Sequence, residues 1–149
     1  MTQREEVRFK VYTKASTSLV GGQVYPLELI DFIEGDGIYD TTTYKYSVQN
    51  AGTYLLGVSF NKQQILQNGV TDMKIDRIVD GVTTTITLNR IQEVETGTFL
   101  TMNCCLMYKL EVGDELYCRA SFGTPLTNLN SYTTDDTLNS FWGIRMNYF

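Results

Sequence analysis

Between Thr98 and Leu110 the apolar residues Leu100, Met102, Cys104, Leu106, Tyr108 and Leu110 occupy every second position, with Thr101, Asn103 and Lys109 between them. Successive side chains of a strand point to opposite faces, so this spacing gathers the apolar set on one side and the polar set on the other. A helix would spread the same residues around its axis. The run therefore requires a sheet with one face against a core. Val7 to Thr13 alternates in the same way, Gly21-Gly22 separates it from an extended run over Val24 to Ile33, and Gly35-Asp36-Gly37 reads as a loop. Asp80-Gly81 lies between Met73–Val79 and Val82–Leu88, where two residues able to adopt positive φ close a tight hairpin. No long stretch carries a helical stripe, and Gln63 to Gln67 can form at most one turn before Asn68-Gly69.

Composition agrees. A chain of 149 residues can bury roughly 68–70% of its unfolded surface, enough for a core without metal or disulfide staples. Ten Tyr and 7 Phe, with many Thr, Val and Ile, favour pleated surfaces, and 42% hydrophobic content with 2 prolines is unlike a disordered chain. Neither linker nor repeat divides the sequence, so a single domain over residues 1–149 is expected. The net charge of −5, with 12 basic residues scattered among 17 acidic ones, excludes nucleic acid and anionic membrane surfaces as expected partners. Membrane insertion is not expected, because no apolar run approaches the roughly 20 residues a spanning helix needs. The start Met1-Thr2-Gln3-Arg4-Glu5-Glu6 does not resemble a signal peptide.

Three cysteines are present. Cys104 and Cys105 are neighbours on a strand and point apart. A hairpin at Val112-Gly113 that sets Leu110 opposite Glu115 would bring Cys118 opposite Met107, away from both. Three free thiols are expected, which suits assembly in a reducing cytosol, as for a virion or phage component.

The sequence has no histidine, which removes imidazole bases, the triads built on them and histidine metal sites. Asp36 with Asp40, or Asp135 with Asp136, could serve as a carboxylate pair or as calcium ligands, although their spacing forces no convergence and solvated loop charges explain them more simply. No catalytic residue, metal or cofactor is expected. The long polar connection from Gly123 to Asn139 offers Asn128, Asn130, Tyr132, Asp135 and Asp136 as ligand-binding candidates, since connections of this length in compact domains are often functional.

Three blocks, in order, carry a resemblance. The first runs from Tyr39-Asp40 through Tyr46 to Gly52-Thr53-Tyr54; the second is Leu110-Glu111-Val112-Gly113-Asp114-Glu115-Leu116-Tyr117; the third is Ser140-Phe141-Trp142-Gly143-Ile144. Together they resemble the globular heads of complement component 1q and the tumour necrosis factor superfamily, over residues 39 to 149. The family usually carries Gly where this chain has Tyr44, an aromatic at Leu56 and Val58, and a small residue at Trp142. The resemblance implies an all-β, two-sheet antiparallel jelly-roll sandwich that assembles as a homotrimer. Tyr54, Phe141, Trp142, Ile144 and Tyr148 are the interface candidates, because the segment from Phe141 to Phe149 is apolar on both faces and a lone sandwich covers only one.

The function this implies is a non-catalytic trimeric recognition head at the tip of a viral, phage or bacterial surface fibre, binding a cell-surface protein or glycan at the virion surface or another extracellular surface. The alternative is a purely structural jelly roll in a capsid or spike. A carboxylate-pair hydrolase is the third reading.

Overall fold

The computed structural model describes residues 6–13, 18–20, 24–62, 70–92, 100–122, 128–130 and 139–146. Among them the strands are β1 (Arg8–Tyr12), β2 (Ser18–Val20), β3 (Leu29–Glu34), β4 (Ile38–Asp40), β5 (Lys45–Ser47) and β6 (Gly52–Lys62), followed by β7 (Val70–Val79), β8 (Val82–Gln92), β9 (Leu100–Leu110), β10 (Glu115–Phe122), β11 (Asn128–Asn130) and β12 (Ser140–Arg145). No helix occurs among the described residues. Two five-stranded antiparallel sheets, ordered β3-β1-β12-β6-β9 and β4-β5-β10-β7-β8, face each other as an all-β jelly-roll sandwich. Gln63 to Gln67 lies outside the described residues.

The alternation read from the sequence fills the space between the sheets. Met102 and Leu110 of β9 are buried there, with Cys104, Leu106 and Tyr108 packed against the same core. Phe9 stacks on Tyr46 across the sandwich with ring centroids 3.8 Å apart, and Phe141 meets Phe9 edge-on at 5.0 Å. Aromatic contacts of this kind are worth about 0.5–1.5 kcal/mol beyond the area they bury. The hairpin at Asp80-Gly81 forms as expected, with φ of 48° and 79°, the left-handed pair that matches strand twist.

Three expectations are corrected. The turn at Val112-Gly113 does not close a hairpin within one sheet. Instead β9 pairs with β6 and β10 with β5 and β7, so Met107 lies opposite Leu55 and Cys118 opposite Ile75. The four residues Glu111 to Asp114 form a corner that carries the chain from one sheet to the other, pinned where Val48 N donates to Asp114 O at 2.8 Å and Gly113 N to Val48 O at 2.9 Å. The run from Val24 to Ile33 is likewise not one strand. Val24 bridges to Arg119 in the second sheet, and β3 belongs to the first. Pro26, which has no N–H to give a ladder, sits at the crossing, where Leu27 N turns back to Tyr25 O at 2.8 Å. Finally, the connection from Gly123 to Asn139 is interrupted by β11, which pairs with β2.

The cysteines are free. Burial pushes the Cys104 thiol up to about 11 and raises that of fully buried Cys118 as well. A thiol reagent should therefore count three groups after denaturation without reductant, while in the native protein Cys118 stays silent and Cys104 reacts slowly. Exposed Cys105 reacts whenever its face is uncovered. A denatured count of one would show a disulfide that this geometry lacks.

On the outer face of the second sheet, Arg90 grips Asp72 through two bonds of 2.7 and 2.8 Å and holds its carboxyl below the usual carboxylate range. The backbone N–H groups of Thr42 and Thr43 do the same for Asp40. A carboxyl whose folded value is depressed stabilises the fold above its unfolded value, near pH 4, and loses that contribution as pH falls through the lower folded value. The thermal midpoint should thus be flat from neutrality down to about pH 5 and drop below about pH 4. Asp72→Asn should lower it at neutrality and flatten the acid slope; an unchanged slope would exclude this pair as a cause.

Candidate functional site: the outer face of the first sheet

The strand register arranges the outward side chains of the first sheet in rows, taken here in the order β3, β1, β12, β6, β9. One row reads Leu29, Tyr12, Ser140, Ser59, Asn103; the next Phe32, Lys10, Trp142, Gly57, Cys105; the third Glu34, Arg8, Ile144, Leu55, Met107. The first row is polar at its centre, whereas the second and third are apolar from β12 to β9. Met107 is 62% exposed although it is a large hydrophobe.

Trp142 owes its position to Gly57. A Cβ at residue 57 would run into the indole ring, so the absence of a side chain there lets Trp142 lie flat on the sheet. Beside it, Arg8, Lys10, Phe32, Ser59, Trp142 and Ile144 line a shallow groove of about 550 Å³. The groove's cations are already matched. Arg8 donates to Glu34 and lies 5.2 Å above the Phe32 ring, and Lys10 Nζ is 3.7 Å from Asp31. The hydrogen bond from Arg8 draws the Glu34 carboxyl below its ordinary range. With its charges paired at one edge and its centre apolar, this face suits a protein surface better than a charged small molecule.

The second sheet presents the opposite character. Its outer face carries Asp72 paired with Arg90, and Asp76 contacted by Thr85 Oγ1 at 2.7 Å and by Arg119 Nε at 3.2 Å, the latter a charge contact outside hydrogen-bonding geometry.

The interface candidates divide between the two sides of the first sheet. Trp142 and Ile144 stand on its outer face. Tyr54 and Phe141 do not: both have no exposed surface and belong to the sandwich interior, where Tyr54 Oη donates to Asn50 O at 2.7 Å. Their strand phase faces them inward, so they cannot reach another subunit. Tyr148 lies outside the described residues. Of the ligand candidates, Asn128 and Asn130 lie on β11, and Tyr132, Asp135 and Asp136 fall outside the described residues. The Asp40 carboxylate is committed to its own turn. The sequence reading missed Phe32, Leu55, Cys105 and Met107; the signal available for Leu55 was that the run from Tyr54 to Val58 is apolar on both phases of the alternation.

No protein-family model matches the chain, and no curated relative is detected. Solved structures do match. Eiger TNF from S. frugiperda superposes with a TM-score of 0.80 at 10% identity, over 98% of this chain and 96% of that one. Murine APRIL, solved at pH 8.0, superposes with a TM-score of 0.71 at 11% identity, over 95% and 99%. The fold is a tumour necrosis factor-like jelly roll.

Proposed function

We infer that the chain, as one domain of residues 1–149, is a non-catalytic recognition head that works as a homotrimer at the tip of a viral, phage or bacterial surface fibre. The outer face of the first sheet joins the copies, and the charged face of the second turns outward toward a cell-surface protein or glycan. The observation that carries this reading is the contrast between those faces. Leu55, Met107, Trp142 and Ile144 form an apolar surface on a sheet whose other side is already a complete core, while the second sheet's outer face carries the charge pairs Arg90–Asp72 and Arg119–Asp76, whose arginines reach the surface and whose carboxylates are buried. The fold similarity and the order of the three motif blocks support a stoichiometry of three.

A ring of three needs a counter-surface elsewhere on the subunit. The open side between β8 and β9 offers one, because Ile86, Leu106 and Tyr108 point inward there yet stay only partly buried. A face-to-edge contact is heterologous and closes into a ring of three when each copy is turned by a third of a circle relative to the last. Three copies of one weak ligand site then gain affinity through avidity.

Sedimentation equilibrium tests the assembly. A species at three times the 16.9 kDa subunit mass is expected at micromolar protein, with Cys105 protected from thiol reagents. A lone 16.9 kDa species would sink the reading. A screen against cell-surface glycans and proteins, run on the trimer, tests recognition; silence across both would leave a purely structural jelly roll as the better description.

A further inference from the structure

We propose that Asn103, together with Ser59, sets the number and register of copies in the assembly; this rests on the trimer reading above. The two face each other across β6 and β9 on the outer face, and Ser59 Oγ donates to Asn103 Oδ1 at 2.8 Å. They sit in the polar row directly above the apolar rows that hold Gly57, Cys105, Leu55 and Met107.

Size places this row inside the interface. From β12 to β9 the two apolar rows span about 14 Å across three strands and about 14 Å along them, roughly 200 Å². A stable contact covers about 800 Å² per partner, so covering the apolar rows carries the boundary over Asn103 and Ser59. Ser59 occupies the carboxamide's acceptor, which leaves two N–H donors to be met from outside the pair. Buried without partners they would be costly, so arrangements that supply an acceptor at this height are favoured over slipped or differently numbered ones. An asparagine isolated in an otherwise apolar seam fixes coiled-coil register by the same physics. Asn103 is held for the task from behind, because its backbone O accepts Asn89 Nδ2 at 2.8 Å and this bond ties β9 to β8.

The test is the Asn103→Leu variant, compared with wild type by native mass spectrometry and sedimentation equilibrium. Asn103 is exposed on the subunit, so the substitution spares the core, and Asn103→Ala serves as a second variant that adds no bulk. Expected for Asn103→Leu are half-dissociation at a concentration lower by about tenfold or more and loss of a single stoichiometry, with dimers or larger species beside trimers. Asn103→Ala should broaden the stoichiometry without the tightening. If both variants remain exclusively trimeric, the proposal is overturned while the trimer stands. A monomeric wild type would overturn both.

Discussion

Trp142→Glu is expected to leave a folded subunit that no longer assembles. The indole lies on the outside of the first sheet in the space Gly57 vacates, so its removal opens no cavity in the sandwich. In the proposed trimer the same substitution would delete an aromatic contact worth roughly 1.5–3 kcal/mol at each of three equivalent places, or about 5–9 kcal/mol for the ring. It also puts three carboxylates into an apolar seam beside Arg8 and Lys10, which already pair with Glu34 and Asp31. Sedimentation equilibrium should report monomer, circular dichroism an unchanged β spectrum, and thiol labelling a newly fast Cys105. Phe141→Ala is the contrasting control. Phe141 sits one residue away but inside the core against Phe9, so its truncation should cost about 3–5 kcal/mol of subunit stability and lower the melting temperature. A Trp142→Glu protein that remains trimeric would remove this face from the interface.

The alternation of β9 and the Asp80-Gly81 turn were legible in the sequence because each depends only on neighbours along the chain. Pairing was not. A tight turn between two apolar-alternating runs has the same sequence signature whether it closes a hairpin or carries the chain across a sandwich, and at Glu111 to Asp114 the outcome is set by Val48 and Arg77, which are remote in sequence. Strand phase was hidden for a similar reason. With apolar residues at successive positions in Phe141-Trp142 and Tyr54-Leu55-Leu56, periodicity cannot say which set faces inward. The glycines decide it: Gly143 makes room for Phe9 and Leu56 inside, and Gly57 for Trp142 outside. At Tyr44, where the resembling family usually carries Gly, the backbone has φ of 59°, the left-handed region that a side chain enters at a cost of about 1–2 kcal/mol. The family's preference marked a conformation that this chain keeps, with a half-buried tyrosine packed against the core instead.

Asp114→Ala is expected to be among the most damaging single changes to the subunit itself. Its carboxylate oxygen Oδ2 receives Arg77 Nε at 2.8 Å, Arg77 Nη2 at 2.7 Å and Glu111 N at 2.9 Å, on a side chain only 4% exposed. Those contacts hold the corner that passes the chain between sheets, and Gly113 at φ of 94° lets the backbone make the bend. Removing the carboxylate strands the guanidinium of partly buried Arg77, which lies 5.6 Å above the Tyr108 ring, and leaves the Glu111 N–H without its acceptor. Breaking a largely buried pair from one side costs about 3–5 kcal/mol, a large share of the 5–15 kcal/mol that stabilises a typical domain. In a chain of this length that is a fall of roughly 6–20 °C in melting temperature. Asp114→Asn keeps an acceptor for Glu111 and should fall between wild type and Asp114→Ala. The Arg77→Leu/Asp114→Ala double variant should lose less than the two single losses combined, because neither partner is then stranded. Additive losses would mean that the corner is held by its backbone bonds to Val48, with the ion pair a bystander.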